Sequence, residues 1–240
     1  MRLLEGRVAV VTGGAKRIGR GIALRLACEG ARVAVHYGTS ETEAITTAAE
    51  CGNGAAIFKA NLEHVAEIET LFSAIEQQFG RIDVLVNNAG RFTTIDALQV
   101  TEADWDFIHS VNLKAQFFCA QQAAKRMIAG DGGRIVNISS LGGIRPWSKN
   151  AHYCASKAGV IMMTRALSKA FAPKVTVNSV APGAIVFGEP NALEARLIAK
   201  TPARRGGMPE DIADAVVFFV TTTTFVTGQL LAVDGGLSQK

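Results

Sequence analysis

Much of what would mark an exported, membrane-borne or nucleic-acid-binding protein is missing from this chain. Its four cysteines, Cys28, Cys51, Cys119 and Cys154, make no CxxC pair and no Cys/His zinc spacing, so free thiols in a reducing cytoplasm are expected. The four histidines are widely separated and form no H-E-x-x-H pair, so no metal site is expected. Charge is sparse, at 19% of 240 residues, and the surplus of +4 is scattered instead of gathered into basic runs, which argues against nucleic acid as a partner. No stretch reaches the ~18 apolar residues of a membrane span, and the apolar run after Arg7 is too short for the core of a signal peptide. Neither a membrane nor export is expected. Disorder is excluded by the 48% of hydrophobic residues, and a chain of this length buries enough surface to need no disulfide or metal. Glycine is the residue in surplus, with 24 copies.

Seven short β-branched runs alternate with segments of helical period: Arg7–Val11, Arg32–Val35, Ala55–Lys59, Ile82–Val86, Arg134–Ile138, Val175–Val180 and Leu230–Val233. Their apolar character is nearly continuous, as in a parallel sheet covered on both faces. The alternation predicts an α/β fold: one Rossmann domain over 1–240, a doubly wound seven-stranded parallel sheet with helices on both faces and ligands at the carboxyl ends of the strands. Ser40–Glu43 and Thr101–Asp104 have capping-box spacing, Pro209 before Glu210 and Asp211 suits a helix start, and Gly30, Gly80 and Gly130 stand where helices should stop. Residues 184–208 fall outside this rhythm and are expected to form a substrate lid.

The first strand runs into Thr12-Gly13-Gly14-Ala15-Lys16-Arg17-Ile18-Gly19, and a helical pattern follows to about Cys28. Strand, glycine turn and helix N-terminus together suit a dinucleotide pyrophosphate, although such a turn also serves simply to let a helix pack on its strand. After the second strand come His36-Tyr37-Gly38-Thr39-Ser40, without the acid that would bind the ribose diol of NAD. That absence, with Lys16 and Arg17 in the turn and the Ser40 hydroxyl, favours NADP(H).

Tyr153 and Lys157 lie four apart at the head of a helical pattern and share one helix face. A phenol must drop about three pKa units to act near neutrality, and an ammonium about 4 Å away at an effective dielectric of ~20 supplies that. Ser139-Ser140 end the fifth strand, where a hydroxyl can hold a carbonyl oxygen while Tyr153 protonates it. A Ser–His–Asp reading through His152 fails, because no G-x-S-x-G elbow surrounds either serine.

Together these residues resemble the short-chain dehydrogenase/reductase family over essentially the whole chain. The glycine turn, Asn87-Asn88-Ala89-Gly90, Asn112, Ser140, Tyr153 with Lys157, Pro182-Gly183 and the tail Val233-Asp234-Gly235-Gly236 occur in that family's order. The resemblance implies Tyr153 as general acid/base, Lys157 as its modulator and a hold on the nicotinamide ribose, Ser140 as substrate orienter, and Asn112 as support for a proton relay. It also implies NADP(H) lined by Gly13, Lys16, Arg17, Ile18, Gly19, His36, Tyr37, Ser40, Asn61, Leu62, Asn88, Ala89, Gly90, Tyr153, Lys157, Pro182 and Gly183. A homotetramer or homodimer built on the long helices about Thr101–Ala129 and Asn150–Phe171 is the family's habit. Two departures are Arg17 for the middle glycine of TGxxxGxG and Asn61 for an acid after the third strand; the Arg17 form, with His36-Tyr37 and Ser40 and with Phe92, resembles pteridine and dihydromonapterin reductases. The preferred substrate is therefore a pteridine, held by Arg17, Phe92, Ser140 and Tyr153. The alternatives are a 3-oxoacyl-(acyl-carrier-protein) thioester, with Lys125, Arg126 and Lys169 facing the acidic carrier, another carbonyl or polyol, or a non-catalytic NADPH-sensing protein.

Overall fold

The computed structural model describes residues 2–239, residue 193 by its backbone alone; the outer residues of the 1–240 domain lie outside the described residues. Seven strands, β1 (Val8–Val11), β2 (Arg32–Tyr37), β3 (Ala56–Lys59), β4 (Val84–Asn87), β5 (Gly133–Ile138), β6 (Val175–Pro182) and β7 (Leu230–Val233), form one sheet. All neighbours are parallel, in the order β3-β2-β1-β4-β5-β6-β7. The jump from β1 to β4 reverses the direction of winding and opens a crevice at the carboxyl ends. Register puts Val11, the last residue of β1, opposite both Val35 and Val86, and β2 and β4 continue past it to Tyr37 and Asn87.

The described residues form eight α-helices: α1 (Arg17–Cys28), α2 (Glu41–Cys51), α3 (Val65–Phe79), α4 (Glu102–His109), α5 (Gln116–Ala129), α6 (Ala151–Ala170), α7 (Ala192–Lys200) and α8 (Pro209–Thr221). The near-continuous apolar strands are explained by two separate cores. Ala9 and Val11 pack with Ile22, Leu26, Ile212 and Val216 on one face, while Val8 and Val10 pack with Phe72, Ile75, Cys119 and Met127 on the other. Gly21 brings α1 and α8 together, since a Cβ there would lie 2.7 Å from the Cβ of Pro209.

Three local expectations are revised. Thr101 forms its capping box with Asp104, but the Ser40 side chain makes no capping bond. The long helical pattern after Thr101 is not one helix: between α4 and α5 the residues Ser110–Ala115 wind as a π-helix that contains Asn112. Residues 184–208 are not a bare loop, because they carry α7 and are pinned at the base by Val186 N–H to Gly207 O and Gly207 N–H to Ala184 O, both 2.9 Å. Beyond that base Arg205 grips Asp211 in the first turn of α8 through two bonds of 2.7 Å. No helix among the described residues is long and apolar enough to cross a membrane.

Candidate active site

The carboxyl ends of β1, β2 and β4 build a cradle held by buried hydrogen bonds. Thr12 Oγ1 accepts from the amides of Asn88 (2.9 Å) and Ala89 (3.1 Å), and Asn88 Nδ2 donates back to the carbonyls of Thr12 and Gly13, both at 3.0 Å. Gly13 has φ +60°, and a Cβ on Gly19 would lie 2.0 Å from the Gly13 oxygen. Only glycine fits at both positions. Beyond them the amides of Ile18 and Gly19, in the first turn of α1, have no intrahelical partner and sit at the positive end of the helix dipole. Exposed Lys16 and Arg17 flank this opening. A close-approach turn, free amides and two cations suit a diphosphate.

Several residues assigned to the cofactor from sequence have other partners. His36 is buried: its Nδ1 accepts from the Gly13 amide (3.0 Å), which fixes the proton on Nε2, and Nε2 donates to Ala60 O (3.1 Å). Its side chain therefore braces the turn from behind and does not face a phosphate, and burial drives its pKa down from 6.5 to about 4. Tyr37 is in the core, and its hydroxyl donates to Glu41 (3.1 Å). Leu62 is also a core residue, and Asn61 Oδ1 accepts from the Glu63 amide at 3.1 Å. Asn88 supports the glycine turn by its side chain. Pro182 closes β6, and the Gly183 amide bonds to Val233 O at 3.0 Å.

Beside the cradle stand Ser140, at the end of β5, and Tyr153 and Lys157, in the first turns of α6. Ser140 Oγ accepts from the Gly142 amide (3.1 Å), and its hydroxyl favours the ionised form of the Tyr153 phenol. Lys157 is 4% exposed; its Nζ donates to Ile138 O (3.0 Å) and lies 5.9 Å from the centre of the Tyr153 ring. Burial pushes the Tyr153 pKa above its ordinary 10, and the Ser140 hydroxyl opposes that rise. The expectation that the ammonium alone brings the phenol down is corrected: the desolvated amine itself shifts, from 10.5 to about 8. Asn112 holds the segment after β4 by a reciprocal pair, accepting from the Arg91 amide (2.7 Å) and donating to Arg91 O (2.9 Å), and it also donates to Ser156 Oγ (3.2 Å).

The Tyr153 ring is boxed by aromatics. Phe92, 57% exposed, meets Tyr153 edge-on at 4.9 Å, and Trp147 stacks parallel to it at 5.9 Å. Trp147 went unassigned from sequence, though an indole six residues before the tyrosine was a readable sign. Also missed was the tie between the segment after β4 and the start of α6: His152 Nε2 lies 2.7 Å from Thr93 Oγ1, and Asn150 Nδ2 donates to Thr93 O (2.9 Å). Arg17 stands in the left-handed region at φ +54°, and its guanidinium lies 5.5 Å from the centre of the Phe187 ring in the 184–208 segment. Arg126, one of the residues expected to face a carrier, is instead paired with Glu76 at 2.9 Å.

The family described as enoyl-(acyl carrier protein) reductase matches residues 13–238. A 3-oxoacyl-[acyl-carrier-protein] reductase of Synechocystis sp. is 38% identical over 99% of both chains. The 2-dehydro-3-deoxy-D-gluconate 5-dehydrogenase of Escherichia coli is 38% identical over 97% of this chain and 96% of its own. The solved structure of a Serratia marcescens short-chain dehydrogenase/reductase double mutant superposes with a TM-score of 0.93 at 33% identity, covering 98% of this chain and 99% of the other. These relatives are named for an acyl thioester and a sugar acid, not for a pterin.

Proposed function

The chain belongs to the short-chain dehydrogenase/reductase family, and we propose that it uses NADPH to reduce the 3-oxo group of a carrier-bound acyl thioester. The family's chemistry is oxidoreduction at a CH–OH carbon with a nicotinamide dinucleotide, and the single observation that carries the reading is the joined set of Ser140, Tyr153 and buried Lys157 beside the glycine turn. The thioester is supported by the names of the relatives, and the exposed Lys125 and Lys169 offer cations to an acidic carrier. NADPH over NADH is supported by Lys16 and Arg17, neither of which has a carboxylate partner among the described residues, and by the engagement of Glu41 with the Tyr37 hydroxyl.

Gly13, Ile18 and Gly19 would hold the diphosphate, with Lys16 and Arg17 near the extra phosphate and Gly90, Tyr153 and Lys157 beside the nicotinamide end. When bound, the dinucleotide supplies the hydride. Everything else falls to this chain's own groups. Ser140 and Tyr153 hold the carbonyl oxygen, and a phenol with a raised pKa keeps its proton at neutral pH until that oxygen takes it. Lys157, held on Ile138 O, then provides the nearby cation that steadies the phenolate.

A second reading, a pteridine substrate, is favoured by one observation: the Phe92 and Trp147 rings around Tyr153 suit a flat heterocycle. A homotetramer or homodimer is supported by two unpartnered apolar faces, one with Phe117 and Met162 on α5 and α6, the other with Phe218, Phe225 and Leu231 along α8 and the β7 edge. A monomeric mass by light scattering would remove it. Four free cysteines suit a reducing cytoplasm.

The deciding experiment offers NADPH and NADH with acetoacetyl thioester and a dihydropterin, and NADP+ and NAD+ with a 2-keto-3-deoxy sugar acid, to the wild type and to Tyr153→Phe. Thioester turnover with NADPH, lost in the variant while NADPH still quenches protein fluorescence, is the expected result. Retained turnover in the variant overturns the role of Tyr153, pterin turnover alone selects the second reading, and binding without turnover of anything offered favours a sensing protein.

A further inference from the structure

Arg17 departs from its surroundings in two ways. It is a non-glycine residue at φ +54°, in a turn whose family pattern places glycine there, so the side chain is kept at some backbone cost. It also has no carboxylate partner among the described residues, whereas Arg20 and Arg25 on the same helix pair with Glu50 and with Glu29 and Asp214. What Arg17 does touch is the Phe187 ring, 5.5 Å from the guanidinium carbon and within cation–π range. Phe187 lies just beyond the pinned base of the 184–208 segment and is itself exposed.

A guanidinium can use its edge and its face at once: the N–H fork meets phosphate oxygens while the flat face stacks on a ring. We propose that Arg17 is a positioning residue that latches the 184–208 segment to the nucleotide turn, so that bound dinucleotide favours lid closure. A phosphate on the fork removes much of the rotational freedom of Arg17, and Phe187 then lands on a plane already fixed. Cofactor and closed lid thus favour each other through one side chain, and linkage makes the effect reciprocal. Glycine at this position would relieve the backbone and lose the coupling.

The inference rests on the dinucleotide reading, and the test separates the two. The lid carries its own tryptic sites at Arg196, Lys200, Arg204 and Arg205. Lid cleavage by trypsin and the Kd for NADPH, from fluorescence, are measured for wild type, Arg17→Gly, Phe187→Leu, Phe187→Tyr and the Arg17→Gly/Phe187→Leu double variant. NADPH should slow lid cleavage in the wild type, and Phe187→Leu should lose about two- to fivefold of that protection, the size of an exposed cation–π contact. By the same linkage its Kd for NADPH should rise by up to the same factor. Phe187→Tyr, which keeps a ring, should restore protection. Arg17→Gly should lose protection as well as affinity, and the double variant should be no less protected than Arg17→Gly alone. Full protection in Phe187→Leu, or losses that add in the double variant, overturns the latch while leaving the dinucleotide reading intact. A wild type that binds neither NADPH nor NADH overturns both.

Discussion

The crevice has two halves built in different ways. On the nucleotide side, Thr12, Asn88 and His36 each hold the glycine turn by hydrogen bonds of 2.9–3.1 Å, and glycine is required where the backbones meet. On the substrate side, Phe92, Trp147 and Phe187 meet their neighbours through ring faces and edges at 4.9–6.5 Å, and Phe92 and Phe187 are exposed. Directional bonds between buried groups fix one geometry, because a small displacement leaves a donor or acceptor unpaired. Ring contacts lose little over several tenths of an ångström. A rigid cradle and an adjustable mouth follow from that difference.

The contrast predicts a gradient of damage. The largest effect should come from Gly19→Ala, whose methyl would sit 2.0 Å from the Gly13 oxygen. A loss of more than ~3 kcal/mol of stability, read from urea midpoints, and loss of NADPH binding are expected. An unchanged midpoint would mean that the cradle yields as readily as the mouth.

Next comes His36→Leu, which leaves the Gly13 amide and the Ala60 carbonyl buried and unpaired at about 1–3 kcal/mol each. The wild type should show a matching acid sensitivity. With the folded pKa near 4 and the unfolded value 6.5, the unfolded chain binds the extra proton first; this contribution is whole above pH 6.5 and is lost as pH falls toward 4. The difference corresponds to about 3 kcal/mol. Denaturation midpoints at pH 7, 5.5 and 4 should converge between wild type and variant, and parallel curves would contradict the neutral buried imidazole. The smallest structural effect belongs to Phe92→Leu: stability within about 0.5 kcal/mol, but a KM for substrate raised about two- to tenfold with kcat little changed. A large stability loss there would erase the distinction between the two halves.

The sequence read well where chemistry is local or periodic. The parallel sheet, the Thr101 cap and the helix start at Pro209 follow from spacing and residue type, whereas Ser140, Tyr153 and Lys157 were picked out as a set by the family resemblance. It read poorly where a side chain could turn either way. His36 and Tyr37 sit next to the expected phosphate but point behind the turn and into the core, because alternation along β2 and the depth of the strand decide their faces. Trp147 and Phe187 lie on connections without period, and only the folded chain brings them to Tyr153 and Arg17. The Tyr153 electrostatics were misread for a related reason: a four-residue spacing fixes proximity but says nothing of desolvation.

The π-helix at Ser110–Ala115 makes chain length itself a functional quantity. A widened turn accommodates one residue more than an α-helical path of the same rise, and each α-helical residue turns through about 100°. Deleting a single residue within it would let the stretch rewind as ordinary helix; α4 and α5 would keep their phase, but the residues of the turn itself, Asn112 among them, would be shifted in register by one position. The Asn112 clasp on Arg91 would open with no chemical group exchanged for another. The count of residues between two fixed points can therefore be as unforgiving as the identity of any one of them.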